Sequence, residues 1–223
     1  MDKSIIIRKA LAALITITVV CSSGYAQTDP AAKTLLDKVS RTYEKHRLIK
    51  ADFTVAVQQP GQAAGQVVES GTLYMETSTG KYSISMKSQE LISDGKTQWM
   101  VLKEEKEIQV TDADQSSEAI SPVNIFSFYK TGYKYVSAPA ERVGSVQLNV
   151  VELSPEDRTS PYFKIKLRVN NATNMIHDLM LFDKGGSRYT YTITGTKTDP
   201  AIDAGKFTFN PRSYPSFEIV DLR

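Results

Sequence analysis

The chain has 223 residues, with 27 lysines and arginines against 25 aspartates and glutamates, and a single cysteine. The near-zero net charge gives no electrostatic footprint for nucleic acid, and one cysteine cannot close an internal disulfide. A hydrophobic fraction of 41% fits one folded domain and excludes a wholly disordered or collagen-like chain.

The first 26 residues read as an address. Lys3, Arg8 and Lys9 make a basic start, Ala10 to Val20 is an apolar run, and Gly24-Tyr25-Ala26 supplies small residues at a cleavage position. Cleavage after Ala26 leaves residues 27–223 as one domain that must hold together by its core, without disulfides. Cys21 carries a rival reading, acylation of a bacterial lipoprotein, but Val20 stands where that signal wants a small residue.

Asp29-Pro30 is a helix start, with Asp at the N-cap and Pro at the first helical position. Ala32, Leu35, Leu36, Val39 and Tyr43 follow at three- and four-residue spacing, which predicts a helix with one apolar face ending near Arg47. The period then changes to two. Residues 51–57, 82–86, 163–169 and 189–193 alternate apolar with polar side chains, and further strands are predicted at 67–76, 97–102, 107–111, 145–153, 175–182 and 206–209. Turn residues separate them, among them Pro60-Gly61, Asp94-Gly95, Asn170-Asn171 and Gly185-Gly186. Many short strands so spaced predict a mainly β fold, an antiparallel sheet that is curled or closed. Between the strands, Pro122 to Gly132 reads as a short helix that is apolar over most of its circumference, and such a helix must be buried or cover something apolar.

The residues offer little for catalysis. His46 and His177 are the only histidines, too few for a zinc site in a chain without a mature cysteine. His177-Asp178 invites a triad reading, but neighbours on a strand point to opposite faces. No G-x-S-x-G occurs, and Gly95-Lys96-Thr97 has Glu90 where a phosphate-binding loop needs glycine. The expectation is a protein without enzymatic activity, metal or cofactor. Lys164, Lys166 and Arg168 form a basic stripe, read as a solvated strand face or as a dock for an acidic partner or anionic membrane. The apolar strand face is either a packed core or a cavity for an apolar ligand, and Met75, Met86, Met100, Met175 and Met180 make it adaptable.

Five segments bear on that choice. Ser93-Asp94-Gly95-Lys96-Thr97-Gln98-Trp99 resembles the S-D-G-K-x-x-W hairpin of the periplasmic outer-membrane lipoprotein carriers, the LolA-like family. Leu36-Asp37-Lys38-Val39-Ser40, then Ala51-Asp52-Phe53-Thr54 with Gly71-Thr72-Leu73-Tyr74, resemble that family's first helix and first two strands. Ala201 to Pro211 is similar to its D-x-x-x-F-x-F-x-P segment. The resemblance implies an incomplete, strongly curved antiparallel β-barrel, with an N-terminal helix and a helical lid over a concave apolar face that holds acyl chains. On that reading Phe53, Val55, Leu73, Met75, Tyr82, Ile84, Met86, Trp99, Phe163, Ile165, Leu167, Leu179, Leu181, Tyr189 and Tyr191 line the cavity, and Phe126 and Tyr129 cover it. It further implies a monomer in the Gram-negative periplasm, acylated lipoproteins as cargo, an inner-membrane ATP-driven releasing complex and an outer-membrane acceptor as partners. An envelope lipid binder or lipid sensor of the same fold is the alternative. The best-known carriers have an Arg-Pro soon after the second strand whose Arg latches the lid; here Met75 to Gly80 contains no arginine.

Overall fold

A computed structural model describes residues 29–113 and 128–223. Helix α1, Pro30–Glu44, starts where Asp29 caps it: the Asp29 carboxylate accepts from the Ala31 amide at 2.8 Å, and Pro30 supplies the preset first turn. It ends short of Arg47. Ala32, Leu36, Val39 and Tyr43 bury one face, as the spacing predicts.

Twelve strands form one open, strongly curved sheet, in agreement with an incomplete barrel. They are β1 (Leu48–Gln58), β2 (Gln66–Glu76), β3 (Tyr82–Met86), β4 (Gln89–Ser93), β5 (Thr97–Leu102), β6 (Glu107–Asp112), β7 (Tyr133–Val143), β8 (Val146–Pro155), β9 (Tyr162–Asn170), β10 (Ile176–Asp183), β11 (Arg188–Thr198) and β12 (Glu218–Asp221). The order across the sheet is β12-β6-β5-β4-β3-β2-β1-β11-β10-β9-β8-β7. Hairpins run outward on both sides of a central β1–β11 pair, and β12 is added at the outer edge of β6. Neighbours are antiparallel except at one edge, where β12 lies parallel to β6.

Three strands escape the alternation pattern. β4 is short and carries Glu90, β12 has four residues, and β7 contains Pro139 where its register with β8 shifts between Ala138 and Glu141. Proline survives there because β7 is an edge strand, where the missing N–H costs no ladder bond. The strand expected at 206–209 is not a strand. Lys206 and Thr208 donate backwards to the carbonyls of Asp203 and Gly205 in turns, and Phe209 is held by ring stacking instead of a ladder.

Residues 114–127, which include Phe126 and the first half of the helix expected at 122–132, lie outside the described residues. The second half holds a single 3-10 turn, Phe128–Lys130, packed under α1. The Asp94-Gly95 turn is a hairpin turn as expected: the Asp94 carboxylate accepts from the Lys96 and Thr97 amides, each at 2.9 Å. Gly95 sits at φ +91°, and a Cβ there would lie 2.6 Å from the Thr79 carbonyl oxygen, so glycine is required.

Candidate functional site

Register decides which side chains share a face, because directly opposed residues in an antiparallel pair project to the same side. Four cross-strand rows build the face that α1 covers, here the inner face. Val57, Tyr189, Leu181, Ile165 and Leu153 form one row, and Val55, Tyr191, Leu179, Leu167 and Val151 the next. Phe53 pairs with Ile193 on one side and with Gly71 on the other, and Gly71 with Met86. The last row runs Ala51, Leu73, Ile84, Leu91 and Met100. Met75 and Tyr82 are paired beside it.

The structure therefore brings Phe53, Val55, Leu73, Met75, Tyr82, Ile84, Met86, Ile165, Leu167, Leu179, Leu181, Tyr189 and Tyr191 onto one surface. Two predicted residues stand apart. Phe163 is 55% exposed at the start of β9, its ring 6.2 Å from that of Phe182. Trp99 is on the opposite face: it pairs with Ile92 and Val110 and stacks on Phe209 at 5.4 Å. It belongs to an outer cluster in which Val101, Ile108 and Val110 are covered by Phe209, Tyr214 and Phe217 from the chain's last segment. The reason is a reversal of polarity along the sheet. Through β1–β4 the inner side is apolar, whereas in β6 the apolar residues Ile108 and Val110 face outward. Alternation alone shows that a strand has two unlike faces and not which one turns inward.

Coverage of the inner face is uneven. Over β8–β10, α1 and the Phe128–Lys130 turn bury most of it: Val151, Leu153, Ile165, Leu167 and Leu179 are nearly or wholly inaccessible beneath Leu36, Val39, Phe128 and Tyr129, and Leu181 is partly buried. On β1–β4 and β11 the cover is patchier: Ala51, Leu73, Met75 and Tyr82 are buried, whereas Phe53, Ile84, Leu91, Tyr191 and Ile193 beside them are only partly buried. Leu91 and Ile193 were not among the predicted site residues. Ile193 continues the alternation of Tyr189 and Tyr191, whereas Leu91 lies in β4, a strand without an alternating pattern.

Gly71 sets the depth of the surface at its centre. A Cβ there would fall 2.7 Å from Phe53 Cζ, 2.7 Å from Met86 Cγ and 2.9 Å from the Ser85 carbonyl oxygen. The Phe53 ring and the Met86 chain thus occupy the space a side chain at 71 would need.

Tyr129, expected to cover the site, is buried and bonded to α1. Its hydroxyl donates to the Leu36 carbonyl at 2.7 Å and lies 2.5 Å from Ser40 Oγ. Burial pushes this phenol up to about 12, so it stays a donor across physiological pH. This attachment stands in a chain whose sequence lacks the carriers' arginine latch.

The outer face explains the remaining sequence signals. The basic stripe is neutralised within the sheet: Lys164 pairs with Glu152 at 3.1 Å, Lys166 pairs with Glu141, and Arg168 pairs with Glu141 and Asp178. Asp178 is wholly inaccessible and takes the Arg168 guanidinium through both oxygens, at 2.8 and 2.6 Å. The hydrogen bonds to Asp178, chiefly, raise the Arg168 pKa. The expectation that His177 and Asp178 point apart is corrected, because His177 Nδ1 lies 2.7 Å from Asp178 Oδ2. The ladder slips between Ile176 and Asp178, and that irregularity breaks the strict alternation of faces. His46 meets Asp199, which also accepts from the Arg47 and Leu48 amides at the start of β1.

Among the described residues no cluster of His, Cys, Asp and Glu has the makings of a metal site. A second recess, about 530 Å³, lies between α1 and β7–β8, but Thr34, Lys38, Ser137, Asn149 and Asn171 make its walls polar. The apolar, half-covered inner face is the candidate site.

Comparison with known proteins bears on that surface. The family model for the outer membrane lipoprotein carrier protein LolA matches residues 44–210. No curated protein matches the chain at a significant level. Among solved structures, an uncharacterised conserved protein from Thermus thermophilus superposes with a TM-score of 0.58 at 11% identity, covering 86% of this chain and 99% of that one. That likeness shows a shared fold. A LolA superfamily protein from Nitrosomonas europaea aligns over 80% of this chain and 97% of its own, at 13% identity and a TM-score of 0.43. The MucA/MucB complex of Pseudomonas aeruginosa aligns over 81% of this chain and 61% of its own, at 14% identity and a TM-score of 0.42.

Proposed function

We propose, since the chain belongs to the LolA family of outer membrane lipoprotein carriers, that it shields the acyl chains of lipoproteins and moves them from the inner to the outer membrane. The observation that carries this reading is the uneven cover of the inner face. Phe53, Ile84, Leu91, Tyr191 and Ile193 stay partly exposed on adjacent rows of that face, at the margin of the buried Ala51, Leu73, Met75 and Tyr82. A carrier needs that surface free to receive its cargo.

The energetics set the task. An acyl chain gains about 0.8 kcal/mol per buried methylene, so a chain of about 16 carbons left in water costs on the order of 12 kcal/mol. Surface on β1–β4 and β11 replaces the bilayer for such a chain, and the methionines at 75, 86 and 100 let the floor fit chains of differing shape. The chain is exported by cleavage after Ala26 and acts in the periplasm as the single domain 27–223. It receives lipoproteins from an inner-membrane ATP-driven complex and gives them up to an outer-membrane acceptor. No catalysis is needed, since no bond is made or broken.

The test adds the purified protein to spheroplasts that are synthesising radiolabelled lipoproteins and measures label released to the medium. Release by the wild type, with strong loss for Ile84→Asp and little loss for Lys166→Ala, is expected. Binding of fatty-acyl probes without release would replace the carrier reading by that of an envelope lipid binder. Neither binding nor release would mean that the inner face is only a core.

A further inference from the structure

We propose that Gln98, Gln109 and Thr111 recognise the neutral amide and ester groups that adjoin an acyl chain, so that the site selects acylated amphiphiles over bare hydrocarbon. The inference rests on the acyl-binding reading above and extends it along the sheet.

Two of the inner-face rows change character at their far end. The row Leu73, Ile84, Leu91, Met100 ends on Gln109, and the row Met75, Tyr82, Ser93, Gln98 ends on Thr111. Adjacent strands lie about 4.8 Å apart, so Gln109 stands next to Met100 and roughly 10 Å from Leu91. The apolar floor therefore meets a polar border within the reach of one ligand whose chain lies on β1–β4.

The border groups keep hydrogen-bonding capacity to spare. Gln98 accepts from the buried Tyr82 hydroxyl, which leaves both of its N–H donors. Gln109 donates to Glu107 at 2.8 Å, which leaves its carbonyl oxygen. The Thr111 hydroxyl has no hydrogen-bond partner among the described residues. All three side chains are half-buried, where a polar group without a partner is costly and a ligand that satisfies it is favoured. The set offers donors at Gln98, an acceptor at Gln109 and either at Thr111. An amide needs one of each, and an ester needs a donor.

Charge narrows the choice further. Glu107 lies on the same face of β6 as Gln109 and Thr111, bonded to Gln109. A phosphate or free carboxylate placed on this border would face that like charge, whereas an uncharged linkage would not. The chemistry recognised is thus the carbonyl linkage of an acyl chain and not an anionic headgroup.

The test measures binding of two fluorescent probes of equal chain length, a pyrene-labelled N-hexadecanoyl amide and a pyrene-labelled alkane. Replacing Gln98→Leu, Gln109→Leu and Thr111→Val together should weaken binding of the amide probe about tenfold or more, the loss of two or three hydrogen bonds, and leave the alkane probe unchanged or bound more tightly. Equal weakening of both probes, or of neither, overturns the proposal. If the triple variant does not fold, Gln109→Leu and Thr111→Val are measured singly, with about threefold losses expected for the amide probe alone. Ile84→Asp separates this inference from the one beneath it. If Ile84→Asp leaves the alkane probe bound, the acyl-face reading fails; if it abolishes both probes while the border variants keep the amide preference intact, only the border assignment fails.

Discussion

Replacing Gly71 with alanine puts one methyl group into a space already filled. The new Cβ would lie 2.7 Å from Phe53 Cζ and Met86 Cγ, about an ångström inside normal carbon contact, and 2.9 Å from the Ser85 carbonyl oxygen. The Phe53 ring tip and the Met86 chain are side-chain atoms that can give; the Ser85 carbonyl belongs to the β2–β3 ladder and cannot. Overpacking of this kind costs about 1–3 kcal/mol. The side chains that move must move into the inner space, because the sheet is behind them. A displaced ring excludes one or two methylenes of a bound chain, which predicts a loss of about 4- to 15-fold in acyl-probe affinity at about 0.8 kcal/mol each. Urea unfolding gives the first number from the midpoint at constant slope, and fluorescent-probe titration the second. The decisive measurement is the pair with Phe53→Leu, which removes the ring atom that the methyl strikes. Gly71→Ala/Phe53→Leu should be more stable than the sum of the single changes by about 0.5–2 kcal/mol. Strict additivity, or a Gly71→Ala variant with wild-type midpoint and affinity, would refute the packing described at the centre of the site.

Three further outcomes rest on the geometry. Arg168→Met should destabilise the sheet by about 3–5 kcal/mol in urea unfolding, because it strands the inaccessible Asp178 carboxylate beside His177, while Arg168→Met/Asp178→Leu should recover much of that loss. Asp29 is held down to about 2, chiefly by the Ser137 amide, so its folded pKa lies below its unfolded value of about 3.9. Its stabilising effect is present above the unfolded value and disappears as pH falls through the folded one; Asp29→Asn should flatten the acid unfolding profile between about pH 5 and 2, and an unchanged profile would count against the cap. Trp99→Ala should lower stability by about 1.5–3 kcal/mol through the lost stacking and burial on Phe209, yet leave acyl-probe affinity within about twofold, since the ring lies on the far side of the sheet.

Much of this was written in the chain order. Asp29-Pro30 and the spacing of Ala32, Leu36, Val39 and Tyr43 determined the helix and its buried face, because capping and a 3.6-residue period are local properties. Alternation at 51–57, 163–169 and 189–193 determined strands that agree with β1, β9 and β11, and the Asp94-Gly95 pair determined its turn. The strand pattern already called for a curled sheet; the family resemblance added that it stays open as an incomplete barrel, and the structure places Phe53, Leu73, Ile165 and Tyr191 on one face of it. What failed was not local. Trp99 sits in a run, Trp99 to Leu102, that is apolar on both faces, and only pairing with Ile92 and Val110 places it outside, under Phe209. His177 and Asp178 meet because the register slips beside them. β7 carries a proline that local rules forbid inside a sheet, and its place at the edge, where the register with β8 also slips, permits it. Period two reveals that a strand has two faces; which face turns inward, where the register slips and which strand stands last are settled by partners distant in sequence. For the same reason the polar border of Gln98, Gln109 and Thr111 was invisible beforehand: its residues become one feature only when β5 and β6 are laid beside Tyr82, Leu91 and Met100.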